Sequence, residues 1–284
     1  MKKTRQEMEG GYRLDSIRRV KKYLYIAQAV ILVFFALFLM WVNGNISVFP
    51  FLIDLPLLIL FILILFLIIN VESFVFLRME LRYIKSHSTK YFMTRSSIRR
   101  SLVIIIVAAI AFALFFTPYA NDAVKDAVSV RGDLLVASDS VPAGVSFMCS
   151  DPTMLVQAGK VSVSSEGAVV LAFLVTEENY DLYATQGRDE LAMHRINVNA
   201  ADYTANPDLS FALSGLEYGK YYLVLYLEEP GPETTANVDV EIGIAPNMMT
   251  YMPVLAVAFM IANFVWLIYI RPLNTTLRRR AIYS

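Results

Sequence analysis

Two histidines, His87 and His194, are the whole imidazole supply of this 284-residue chain. One long apolar segment, a candidate membrane span, lies between them and would put them on opposite sides of a bilayer, so a two-histidine metal site or a bis-histidine haem is not expected. Cys149, the only cysteine, would need a neighbouring histidine to act as a nucleophile. A Ser–His–Asp triad would have to use His194, which the pattern between Met193 and Arg195 places in a strand. No serine sits in a G-x-S-x-G turn. Neither GxxxxGK[ST] nor GxGxxG occurs, so nucleotide binding has no support.

Carboxylates are more plentiful. Glu177–Glu178, Asp189–Glu190 and Glu228–Glu229 are paired acids, and loop carboxylates can hold calcium. No D-x-D-x-[DN]-G loop accompanies them, so no cofactor is expected and calcium is the one metal the acids leave open. An enzymatic reading would need two such acids converging in a cleft about 5–10 Å apart. Arg131-Gly132-Asp133 spells an integrin-type tripeptide, which is discarded as a chance run of three common residues.

The elements that would position these residues are unusually apolar. Hydrophobic residues make up 57% of the chain and the mean hydropathy is +0.52. Four segments carry the excess, at about Tyr23–Val42, Leu55–Leu77, Leu102–Tyr119 and Tyr251–Ile270. Each suits a helix crossing a hydrocarbon core of about 30 Å, which takes about 20 residues. The first ends in Met40-Trp41-Val42-Asn43 without a small-x-small cleavage site, so it reads as an uncleaved span.

Charge is divided by segment although the total is zero. Residues 1–22, 72–101 and 271–284 hold 19 of the 25 Lys and Arg, and residues 118–250 hold 19 of the 25 Asp and Glu. Basic residues near span ends stay on the cytoplasmic side. The expected organisation is a basic cytoplasmic N-terminus (1–22), transmembrane helices 1–3 (23–119) with a basic cytoplasmic loop (78–100), an extracytoplasmic domain (120–250), a fourth span (251–270) and a cytoplasmic tail (271–284). That makes a multi-pass protein of the plasma membrane with both termini inside.

Asn43-Gly44-Asn45 marks a tight turn between the first two spans. Asp54 has two readings: an N-cap at the outer interface ahead of Pro56, or a functional acid inside the membrane. The second span is expected to continue as a helix through Arg78, Arg82 and Lys85, one basic face suited to lipid headgroups. Nucleic acid is not expected as a partner. Ala109 and Ala113 on span three, and Ala258 and Ala262 with Asn263 on span four, have the spacing that lets helices approach closely in lipid.

Between spans three and four, from about Val128 to Ile244, the apolar period changes to two. Val238, Val240, Ile242 and Ile244 alternate with polar residues, as do Val161 and Val163, and Leu209, Phe211 and Leu213. Val169–Val175 and Tyr221–Leu227 are apolar almost throughout and should be central strands covered on both sides. Turn-rich breaks at Glu166-Gly167, Asn206-Pro207-Asp208, Tyr218-Gly219 and Pro230-Gly231-Pro232 complete an antiparallel all-β sandwich of seven to nine strands. Val145, Phe147 and Cys149 share one face, and the cysteine is either a buried apolar residue or an intermolecular disulfide partner.

An apolar strand running into Thr176-Glu177-Glu178-Asn179-Tyr180, then Tyr218-Gly219-Lys220-Tyr221-Tyr222-Leu223-Val224-Leu225 and a strictly alternating last strand, resembles the GOLD-type and pre-peptidase C-terminal β-sandwiches. The likeness covers about residues 168–244, and it implies a ligand- or partner-binding module without catalytic residues of its own. The expected function is therefore non-enzymatic. A seated outer sandwich would bind a protein or glycan, with Tyr180, Tyr183, Tyr203 and Tyr218 either at the contact or packed in the sandwich. The other reading is an accessory subunit of a transporter or membrane enzyme acting through its spans, with membrane lipid and a protein partner or a second copy as neighbours.

Overall fold

A computed structural model describes residues 2–42, 55–136, 143–150, 155–165, 169–196, 203–205, 208–213, 216, 219–227 and 233–283. They form two compact units, one of long helices and one of strands. Asn43-Gly44-Asn45, Asp54, Tyr218 and the Glu166-Gly167 and Pro230-Gly231-Pro232 turns lie outside the described residues.

The helical unit holds α1 (Lys2–Val42), α2 (Leu55–Tyr83), α3 (His87–Phe116) and, after the strands, the helix from Pro246 to Tyr283. All four are long and apolar enough to cross a membrane, and each outruns the apolar segment that identifies it. Within the basic stretch 78–100, α2 runs on as far as Tyr83 and α3 starts at His87. Ser86 makes so tight a link workable: its side chain accepts the Thr89 N–H at 3.4 Å and caps α3. Lys85 consequently falls just beyond the helix that carries Arg78 and Arg82.

Large apolar side chains of α3 face outward, with Val103, Ile106, Val107 and Ile110 each more than half exposed. Polar side chains turn the other way. Trp266 donates its indole N–H to Ser97 Oγ at 2.8 Å and stacks on Phe74 with centroids 4.6 Å apart. Gln28 donates to Glu72 at 2.7 Å, and Thr94 donates to Asn274 at 2.8 Å. This inside-out polarity is what a helix bundle in hydrocarbon requires.

The strand unit begins with α4 (Tyr119–Val128) and builds two four-stranded antiparallel sheets. One runs β1 (Val130–Val136), β8 (Thr234–Ile244), β3 (Val156–Ser165), β6 (Asp208–Ala212). The other runs β2 (Ala143–Met148), β7 (Lys220–Leu227), β4 (Val170–Thr176), β5 (Tyr203–Ala205). The alternating positions pack face to face: Val161, Val163, Ala236, Val238 and Val240 from the first sheet meet Phe147, Ala172, Leu174, Leu223 and Leu225 from the second.

Both strands expected to be covered on two sides, β4 and β7, are central. The cover on their outer face is helical. Phe173, Val175, Val224 and Tyr226 are buried beneath α5 (Glu177–Tyr183) and α6 (Arg188–Met193), with Leu191 fully buried at the contact. His194 is thus not in a strand; it caps the C-terminal end of α6, since Leu191 must point at the sheet and only a helix brings it there. Glu177 to Tyr180 likewise leave the strand pattern for helix, because the Thr176 side chain accepts the Asn179 N–H at 3.3 Å and starts a new turn. The Arg131-Gly132-Asp133 tripeptide lies in β1 and is spent across the sheet: Arg131 pairs with Asp239 at 3.2 Å, and Asp133 accepts from Asn237 at 2.9 Å.

Truncating the fully buried Leu223 to alanine should cost about 3 kcal/mol. The same change at Leu135, 67% exposed on edge strand β1, should cost less than about 0.5 kcal/mol. Thermal melts of the strand signal by far-UV circular dichroism in mild detergent compare the two, and equal losses would contradict the assigned core.

Candidate functional site

The α5–α6 cap carries a group of aromatic and charged side chains outside the sandwich core. Tyr180 lies flat on Tyr222, centroids 4.0 Å apart and planes within 3°. Lys220 sits over the same Tyr222 ring at 5.3 Å and closes a 2.6 Å ion pair with Glu177. Gly144 on β2 lies against Tyr180: an added Cβ would come within 3.0 Å of the phenol oxygen and 3.1 Å of the ring. Burial pushes the Tyr180 phenol above its ordinary range, and the hydrogen bond to Glu177 raises Lys220.

A second stack lies between the two helices. Tyr183 and His194 are 3.9 Å apart and within 9° of parallel, and the Asn179 amide donates to the His194 carbonyl at 3.5 Å. Leu182 and Met193, the residues just before the stacked pair, are 55% and 76% exposed. The cap therefore combines rings held rigid by stacking with two unburied aliphatic side chains, a composition suited to a protein or glycan surface. Among the described residues no three His, Cys, Asp or Glu side chains are grouped to hold a metal. Glu177, one of the acids considered for calcium, is taken by Lys220.

A concavity of about 560 Å³ lies elsewhere in the unit, bounded by α4, β3 and β8. It exists because β8 outruns β1, whose pairing stops at Val130 opposite Val240. The N–H groups of Ile242 and Ile244 are taken up instead by Ser129 Oγ at 3.1 Å and Asn121 Oδ1 at 3.0 Å, so α4 finishes the edge that β1 leaves. Gly243 leaves room for this; an added Cβ would sit 2.6 Å from the Asn121 oxygen. Lys125 pairs with Glu241 at 2.7 Å on the same wall, which holds the Glu241 carboxyl below its usual range and lifts Lys125. Gln157, Ser150 and Leu216 line the remainder. Cys149 at the edge is buried and free, and burial pushes its thiol up to about 11.

Of the residues singled out in the sequence, Tyr180 and Tyr183 come together on the cap, half-buried. Tyr203 lies on β5, and Tyr218 falls outside the described residues. In the helical unit Asn263 is buried and donates to the Phe259 carbonyl at 2.9 Å. Ala258 and Ala262 are half-buried, while Ala109 and Ala113 are exposed. Ala108 of α3 is buried in one cluster with Ala256 and Phe259 of the last helix. Arg78, Arg82 and Lys85 are exposed, with Arg78 set over the Tyr269 ring at 5.3 Å. Lys220 and Tyr222 are cap residues that sequence reasoning did not single out; the interval of two that puts Lys220, Tyr222, Val224 and Tyr226 on one strand face was the available signal. No protein-family profile matches the chain, and no curated protein does either.

Two results should follow. Native protein at pH 7 should react with a maleimide at Cys149 at least tenfold more slowly than denatured protein, because a thiol at about 11 is almost wholly protonated and also shielded; prompt native labelling would contradict its placement. The lowered Glu241 contributes stability that is present above its unfolded value of 4.5 and is lost as pH falls through its folded value. Lys125→Met should flatten the acid limb of the pH–stability curve, by no more than about 1 kcal/mol for so exposed a pair; an unchanged acid limb would contradict the pairing.

Proposed function

We propose that this is a non-enzymatic, multi-pass membrane protein that holds its two-sheet unit on the extracytoplasmic face for a protein or glycan partner. The observation that carries the reading is the α5–α6 cap, where Leu182 and Met193 stand in the open beside two pairs of stacked rings. Four span-length helices with outward apolar faces supply the anchor. The division of charge along the chain sets the sidedness, with basic helix ends inside and the acidic strand unit outside.

The connections between the two units are short. Only Thr117 and Pro118 separate α3 from α4, and Ala245 alone separates β8 from the last helix. The resemblance to GOLD-type and pre-peptidase C-terminal sandwiches agrees with a binding role.

A second reading has its own observation. Ala109 and Ala113 lie on an exposed face of α3, where small residues would admit a helix from another chain. On this view the protein is an accessory subunit assembled through its spans.

Purification in mild detergent from the native membrane, followed by identification of what co-purifies, separates the two. A partner lost from a Leu182→Glu/Met193→Glu variant but kept by Ala109→Leu/Ala113→Leu supports the outer module. The reverse pattern supports assembly through the spans, and indifference to both pairs of changes would overturn both readings.

A further inference from the structure

The groove beside α1 and α2, about 580 Å³ in volume, is graded in polarity along its length. Arg18, Lys22, Tyr25 and Ala29 fall on one stripe of α1, spaced by four, three and four residues. From Arg18 to Ala29 the helix rises about 16 Å, and over that distance the lining passes from guanidinium and ammonium through a phenol to apolar Ile26 and Ala29. A leaflet changes in the same order, from headgroup to interface to acyl chain.

Among the described residues the charges on the wall are only partly balanced. Glu80 of α2, 6% exposed, takes up Lys21 at 3.8 Å. Among the described residues Arg18 and Lys22 have no carboxylate in ion-pair range and are left facing the groove. We propose that this groove is a binding site for an anionic phospholipid, its phosphate held between Arg18 and Lys22 and an acyl chain laid along Ile26 and Ala29. Arginine can engage two phosphate oxygens at once while lysine acts as a point charge. Glu80 cancels Lys21, so the site keeps two positive charges and favours lipids with net negative headgroups over zwitterionic ones. The inference rests on the helical unit lying in a bilayer with this end of α1 on the cytoplasmic side, where anionic lipids concentrate.

Full-length protein reconstituted in nanodiscs of equal phosphatidylglycerol and phosphatidylcholine, then released into mild detergent for native mass spectrometry, tests this. Wild type should retain phosphatidylglycerol at least tenfold over phosphatidylcholine. The preference should vanish in Arg18→Gln/Lys22→Gln and survive in Arg18→Lys/Lys22→Arg and in Arg279→Gln/Arg280→Gln, which removes the same charge from the last helix. Added inorganic phosphate should not displace the lipid. Equal retention of the two lipids by wild type, a preference unchanged in Arg18→Gln/Lys22→Gln, or displacement by free phosphate would overturn the site. Release of the protein from native membranes by alkaline carbonate would overturn the membrane reading itself, whereas a carbonate-resistant protein without lipid preference would overturn the groove alone.

Discussion

Apolar side chains that no part of the chain covers are the constraint on which the rest depends. Along α3 alone, Val103, Ile106, Val107 and Ile110 stand more than half exposed, and Phe34, Leu37, Phe264 and Val265 repeat this on the first and last helices. At about 25 cal/mol for each Å² of apolar surface kept in water, four such helices would be heavily penalised in an aqueous setting. Hydrocarbon removes the penalty and imposes another, since polar groups must then find partners inside. The bonds from Trp266 to Ser97 and from Gln28 to Glu72 answer that second demand. Arg100 reaches Ser73, whose own hydroxyl donates to the Asn70 carbonyl, in the same way.

The strand unit meets the opposite demand, burying its apolar residues between two sheets. One sheet leaves its outer face polar, with Asn237, Asp239 and Glu241 tied to Asp133, Arg131 and Lys125. The other is apolar on both faces and has to be covered, and α5 and α6 do so through Leu191. The stacked rings of the cap follow from that packing, because Tyr180 and Tyr183 face the same sheet that Phe173 and Val224 build. A binding surface placed there is held by the core instead of by a loose loop.

The sequence showed the large divisions because they rest on local, repeated signals. Val238, Val240 and Ile242 alternate with polar residues and form one face of β8, and the near-continuous apolar run of Val170–Thr176 is a central strand. What was not legible depended on contacts distant in the chain. Thr176 followed by Glu177 and Glu178 is a local helix-start signal, but its meaning becomes evident only once β4 and β7 present an apolar outer face. His194 was misplaced for the same reason. The stack of Tyr180 on Tyr222 joins residues 42 positions apart, and Lys220 pairs with Glu177 over 43; sequence alone gave composition there, not proximity. On α3 the alanine spacing was visible, but which alanine meets the last helix depends on a rotation that Ala108 fixes by packing on Ala256 and Phe259.

Sidedness is the claim on which the functional reading turns, and cysteine labelling measures it directly. In a Cys149→Ala background, single cysteines at the exposed positions Glu178 and Arg279 can be probed on intact cells with a membrane-impermeant maleimide. The account predicts that Glu178→Cys is labelled without permeabilisation and Arg279→Cys only after it. Labelling of Arg279→Cys on intact cells, or protection of Glu178→Cys until the membrane is opened, would contradict it.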